Sequence, residues 1–137
     1  MLPPMNSRTT LRYERWWRMG GYVLILYIIY LSLTPRPPDI DMQNGDKLGH
    51  FLSYGSLMFW FAQLVLARVE RLRWAIGFVL LGVTLEFLQG MTDYRNFDLA
   101  DILANTVGVL LGWVLALWPQ THIFGRLEGL FARRRSS

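Results

Sequence analysis

Four long apolar runs, at residues 20–33, 48–67, 74–90 and 99–118, dominate this chain and leave only short polar connections. Within each run the apolar residues are continuous rather than alternating, which selects helices over half-buried strands. With its flanking Trp16-Trp17 edge, even the first run reaches the roughly 20 residues that cross a bilayer. Polar side chains nevertheless sit at the ends of three runs. Asp46, Lys47, His50 and Tyr54 open the second, Glu86 and Gln89 close the third, and Asp98, Asp101 and Asn105 open the fourth. Such groups are expensive in hydrocarbon and face protein or water when they occur there. The sequence therefore predicts an all-α fold, an integral membrane bundle of four transmembrane helices whose polar stripes meet inside.

Length and charge agree with that reading. The 137 residues suffice for one domain, and no long polar stretch could form a second. Cysteine is absent, which excludes disulfides and thiolate metal sites. The net charge of +4 comes from arginine, with Lys47 the one lysine. These arginines lie between the apolar runs, a distribution suited to a membrane surface and not to nucleic acid. Arg8, Arg12, Arg15 and Arg18 precede the first run, Arg68, Arg71 and Arg73 join the second to the third, and Arg126, Arg133, Arg134 and Arg135 follow the fourth. Only Arg36, Lys47 and Arg95 fall in the alternate connections. Positive-inside bias then puts both termini in the cytoplasm.

Three segments follow: a basic cytoplasmic stretch at 1–19, a membrane domain at 20–118 and a basic tail at 119–137. The proline-rich stretch at 35–38 and Pro119 are expected helix stops. The first run ends without a small-residue cleavage site, so a retained span is expected rather than a signal peptide. In the tail, Ile123, Leu127, Leu130 and Phe131 recur at helical spacing among arginines, a pattern that suits an interfacial helix, with a frayed basic tail as the alternative.

On the topology above, all the unusual polar residues gather near the outer face. Asp46, His50 and Tyr54 are four apart and share one helix face, with Lys47 three residues before His50. Glu86 and Gln89 form a second stripe, and Asp98, Asp101 and Asn105 a third. Arg95 lies in the connection, within reach of both. Each has a plain structural role open to it. His50 could be a buried, hydrogen-bonded histidine, Lys47 could extend to the headgroups, and Asp98 could cap the fourth helix. Arg95 could pair with Glu86 or Asp101. A packing role does not call for all of them at one level, so the cluster is read as functional. Gly108 and Gly112 have the small-xxx-small spacing of close helix contact, and Gly77 and Gly82 are candidates for the same role.

Taken together, Asp46-Lys47-x-x-His50-Phe51-x-x-Tyr54, Glu86-x-x-Gln89, Arg95 and Asp98-x-x-Asp101-x-x-x-Asn105-x-x-Gly108 resemble the VanZ-like membrane proteins over residues 22–118. The resemblance implies a small polytopic bacterial protein of the inner (cytoplasmic) membrane. The family takes its name from a protein associated with teicoplanin resistance, and most members have no assigned activity. Family membership does not transfer resistance to this chain.

Three functions are open on the sequence. In the first, an enzyme acts on the headgroup of an outer-leaflet lipid or a lipid-linked cell-wall precursor. His50 would be its base or nucleophile, Lys47 and Arg95 would hold phosphate oxygens, and Glu86, Asp98 and Asp101 would orient His50 or bind a divalent cation. One histidine among carboxylates suits a hard, oxygen-preferring ion better than a structural zinc. No serine-nucleophile motif or phosphate-cradling glycine loop is present. In the second, the same catalytic candidates (His50, Lys47, Glu86, Asp101) and binding candidates (Asp46, Tyr54, Gln89, Arg95, Asp98, Asn105) capture or shield such a lipid without chemistry. The third is a structural partner of another membrane protein, in which an oligomer is admitted.

Overall fold

The computed structural model describes residues 11–37, 43–118 and 122–134. They form five helices and, among the described residues, no strand: α1 (Glu14–Leu33), α2 (Gly45–Leu64), α3 (Arg68–Gly90), α4 (Leu99–Leu115) and α5 (Ile123–Arg134). The helix ends follow local chemistry. At the start of α1, Glu14 faces the positive end of the helix dipole and pairs with Arg18 one turn on at 2.7 Å. Thr34 turns extended ahead of Pro35, as the residue before a proline prefers, and α1 stops. Asn44 precedes α2 in the left-handed region at φ 61°, a conformation that asparagine tolerates. Asp98 caps α4, its Oδ1 accepting from Ala100 N at 2.8 Å.

One connection differs from the sequence expectation. The charged stretch 68–73 is not a turn but the opening of α3. Arg71 accounts for this. Its side chain is buried and folds back, Nε donating to Val65 O at 2.9 Å and Nη2 to Ala62 O at 3.0 Å. These are carbonyls that the end of α2 leaves without helical partners. The turn between α2 and α3 thus shrinks to a few residues around an arginine stitch.

Helix α2 is the centre of the bundle and touches α1, α3 and α4. Tyr54, Leu57, Met58, Phe61 and Ala62 are buried along it. Its tightest partner is α4, and the reason is glycine. A Cβ on Gly108 would strike Phe51 O and Gly55 N, and one on Gly112 would strike Gly55 O. The two backbones therefore run in direct contact, as the small-residue spacing implied. Gly82 packs against Asn105 and Tyr54, but Gly77 has nothing within 4 Å of its would-be Cβ and plays no such part.

The outer faces of the helices are strongly apolar, and part of the buried interior is polar. Outward positions on α1, α3 and α4 are large and apolar, among them Leu26 (66% exposed), Leu80 (60%) and Leu103 (59%). The buried interior holds Glu86, Gln89, Asp101 and Asn105. By length and composition α1 and α3 are apolar enough to cross a membrane; α4 is apolar but has 17 residues, and α2 does not meet that standard.

The tail helix is docked to the bundle rather than free. Phe124 is buried and stacks on Trp17 with centroids 4.2 Å apart, and Trp60 meets it edge-on at 4.8 Å. Gln63 Oε1 accepts from Ile123 N at 3.1 Å, at the start of α5. Glu128 accepts from Arg12 N, Tyr13 N and Trp17 Nε1 at 2.8–2.9 Å, tying α5 to the start of α1. Ile123, Leu130 and Phe131 remain exposed. Pro119 lies outside the described residues.

Two predictions follow from these contacts. Gly108→Ala must push α2 and α4 apart and is expected to cost about 1–3 kcal/mol as overpacking does. Gly77→Ala meets open space and should be neutral or gain up to ~1 kcal/mol of helix propensity; thermal melts of the purified variants compare them. For Glu128, partial burial pushes the carboxyl up, but the donors from Tyr13, Trp17 and Arg12 outweigh it and hold its pKa below the ordinary value. A folded pKa below the unfolded one stabilises the docked tail above the ordinary glutamate range, near ~4.3, and the gain fades as pH falls through that range and below. Tryptophan emission should report loosening of the Trp17–Phe124 stack on acidification, and Glu128→Gln should remove that pH dependence.

Candidate functional site

The close approach of α2 and α4 sets two polar stripes face to face. From α2, Lys47 Nζ lies 2.7 Å from Asp98 Oδ2 and 3.3 Å from Asp101 Oδ1 of α4, and 3.5 Å from its neighbour Asp46. Lys47 is thus folded into the cluster rather than extended away from it. One turn deeper, His50 Nε2 is 3.4 Å from Asp101 Oδ2 and Nδ1 is 3.1 Å from Asn105 Oδ1. His50 is nearly enclosed, its side chain 9% exposed, so it is less open to water than a place so near the helix start suggests. Tyr54 follows a further turn down, fully buried.

Helix α3 closes the cluster from the side. Glu86 is 1% exposed, and its Oε1 accepts from Asp98 N at 2.6 Å. Asp98 therefore does three things at once: it caps α4 with one oxygen, pairs with Lys47 through the other, and gives its amide to Glu86. The ammonium of Lys47 and the Ala100 amide hold the Asp98 carboxyl below its usual pKa. Two buried polar atoms in this region, Glu86 Oε2 and Tyr54 OH, have no hydrogen-bond partner among the described residues.

Gln89 and Arg95 go elsewhere. Gln89 is buried, with Nε2 donating to Ser32 O on α1 at 2.7 Å, which makes it a tie between α3 and α1. Arg95 pairs with neither Glu86 nor Asp101; among the described residues it forms no ion pair. It lines a cleft of about 740 Å³ on the opposite flank of α2, together with Arg36, Ser32, Asp46, His50 and Tyr54. Sequence reasoning passed over Arg36 and Ser32 as parts of a loop and of an apolar run. Nothing in their local pattern sets them apart; only the fold brings them to the same cleft as His50.

The polar signature thus resolves into one network joining α2, α3 and α4, bordered by a cleft toward α1. The family model described as VanZ/LLP1 matches residues 2–123. The chain belongs to the VanZ/LLP1 family. The match begins at residue 2, so the basic amino-terminal stretch, expected to lie outside the family pattern, falls within it. Among curated proteins, this VanZ/LLP1 chain is similar to an uncharacterized protein of the fission yeast Schizosaccharomyces pombe. The two are 33% identical over 96 residues, 68% of this chain and 57% of that protein. The chain therefore spans a little over half the length of that relative. A yeast relative also means that the likeness is not confined to bacteria. No solved structure matches the chain.

Proposed function

We propose that this protein is a four-span membrane protein that takes the phosphate headgroup of an amphiphile into the cleft between α1 and α2. The observation that carries the reading is the pair Arg36 and Arg95 on that cleft. Neither has an ion-pair partner among the described residues, and arginine presents a planar fork of donors that fits phosphate oxygens. Asp46 also lines the cleft, but Lys47 stands 3.5 Å from it and offsets its charge. Residues 38–42, which carry Asp39 and Asp41, lie outside the described residues. The cleft volume falls in the ~300–1,000 Å³ range of small-molecule sites. Its lining joins apolar residues of α1 and α2, such as Ile28, Leu31 and Leu52, to the polar end. That combination suits a molecule with an oily part and a charged head. His50 also lines this cleft, its ring held from the far side by Asn105 and Asp101.

The four-span arrangement is supported by the apolar outer faces of α1, α3 and α4, with α2 enclosed between them. At ~1.5 Å per residue, α4 is about 26 Å long, close to the ~30 Å of a hydrocarbon core. Both termini are assigned to the cytoplasm and the polar cluster to the outer side, in a bacterial inner membrane. Single cysteines test this, since the chain has none of its own. Asp93→Cys should react with an impermeant thiol reagent from outside, and Arg73→Cys should not. Both side chains are exposed, whereas Arg71 is buried and would stay silent on either side. Outside labelling at 73 would reverse the assignment.

Phosphate could be carried by a membrane phospholipid or by a polyprenyl-linked cell-wall precursor, and the binding test separates them. Native mass spectrometry of the protein with phosphatidic acid, with a polyprenyl phosphate and with inorganic phosphate should show retention of at least one lipid. Charge-assisted hydrogen bonds contribute about 1.5–3 kcal/mol each, so Arg36→Gln and Arg95→Gln should each weaken retention about tenfold or more. Unchanged retention in the double variant would remove the headgroup reading.

A further inference from the structure

Below the cleft, three lone pairs converge. Asn105 Oδ1 can only accept, so a neutral His50 donates from Nδ1 across the 3.1 Å contact and leaves Nε2 as a lone pair. That lone pair faces Asp101 Oδ2, another acceptor, at 3.4 Å. Glu86 adds a third: Oε1 is occupied by the Asp98 amide, and Oε2 is buried with no partner. One ligand atom from each of His50, Glu86 and Asp101 lies within 4.8 Å of the other two. Three acceptors this close repel one another unless something positive lies among them. Lys47 does not fill that role, since its ammonium contacts Asp98, Asp101 Oδ1 and Asp46.

Tyr54 gives a separate indication. It is buried one turn below His50, and its hydroxyl has no partner among the described residues. Its ring edge reaches Gly82, one turn before Glu86, which puts the phenol alongside the same pocket. A buried hydroxyl without a partner is destabilising, and a water held by a cation would satisfy it.

We propose that His50 Nε2, Asp101 Oδ2 and Glu86 Oε2 bind one divalent first-row metal ion, of the Mn²⁺ or Zn²⁺ type, with Tyr54 hydrogen-bonded to a water in its open coordination position. An imidazole nitrogen selects against Mg²⁺ and Ca²⁺, and two carboxylates suit the harder members of the first row. Three protein ligands leave positions open, as in catalytic rather than structural metal sites. Ligand atoms held tetrahedrally at ~2.0–2.2 Å lie about 3.3–3.6 Å apart; His50 Nε2 and Asp101 Oδ2, at 3.4 Å, already have that spacing, and Glu86 lies within 4.8 Å of both residues. Asn105 fixes the histidine tautomer from its other nitrogen, the usual outer-shell role at a metal site. His50 and Tyr54 also line the cleft, so the open position borders the compartment proposed for the headgroup. The ion site does not depend on what that cleft holds.

The test uses the purified full chain, stripped with a chelator and titrated with Mn²⁺ in the absence of phospholipid. Loss of the free Mn²⁺ electron-paramagnetic-resonance signal should give one ion per chain, with coupling to a single imidazole nitrogen. Zn²⁺ should displace it and equimolar Mg²⁺ should not. Glu86→Gln and Asp101→Asn should each weaken Mn²⁺ binding at least tenfold, and Arg36→Gln should leave it unchanged. No bound Mn²⁺, or bound Mn²⁺ without nitrogen coupling, overturns the proposal using the parent protein alone, even if the variants do not fold. Binding that survives both carboxylate substitutions overturns it too. A Glu86→Gln protein that melts above the metal-free parent, in a chain that binds no Mn²⁺, would mean that protons rather than a metal separate the three acceptors. Because phospholipid is absent, none of these failures bears on the headgroup cleft, and loss of lipid retention would not bear on the metal.

Discussion

The glycine contact between α2 and α4 is the constraint on which the other features depend. With Gly55 against Gly108 and Gly112, the two backbones come too close for any side chain between them. Residues above the contact are therefore presented to one another at fixed height. Lys47 meets Asp98 and Asp101 by this route, and His50 meets Asp101 and Asn105. A wider separation would leave the same side chains with nothing to face. Glu86 can then reach in from α3 because Gly82, one turn before it, gives way to Asn105 and Tyr54.

Polar groups also hold the remaining helices in register, and each does so at a helix end or in an apolar wall where no water would serve. Gln89 ties α3 to α1 through Ser32, Arg71 closes α2 onto α3, and Gln63 receives the first amide of α5. Glu128 collects three donors at the start of α1. These are side-chain to backbone links across long stretches of sequence. In an apolar surrounding, packing alone discriminates weakly between neighbouring registers, and directed hydrogen bonds supply that discrimination. The bundle has an ionic end at Lys47 and an aromatic end at Trp17, Trp60 and Phe124, with α2 running from one to the other.

The helical fold and most of the cluster were legible because they rest on periodicity. Spacings of three and four put Asp46, Lys47, His50 and Tyr54 on one face and Asp98, Asp101 and Asn105 on another, and burial forced those faces together. What periodicity does not encode is the direction of a side chain leaving a loop. Arg95 sits between Glu86 and Asp101 in sequence yet lines the cleft, as Arg36 does. Arg71 reads as one more basic residue of a connection, and only its geometry reveals two carbonyls in want of donors. Gly77 and Gly82 look alike in sequence, but only Gly82 faces a partner helix. The docking of α5 was hidden for a further reason. A buried Phe124 and a many-bonded Glu128 need partners more than 100 residues away in the chain, beyond what a local pattern can carry.

The enclosure of α2 has a consequence for how the chain is made. On the four-span reading, α2 emerges from the ribosome before α4, yet Lys47 and His50 find their partners only on α4. Helix α2 also falls short of the length-and-composition standard for crossing a membrane that α1 and α3 meet. On that reading α2 would wait, shielded at the insertion machinery or at the membrane surface, until α3 and α4 arrive. Insertion of these three helices would then be a single late event rather than a sequence of independent ones. Truncation within α4 would then release not a three-helix fragment but a chain whose second helix has nowhere to reside, a substrate for membrane proteolysis.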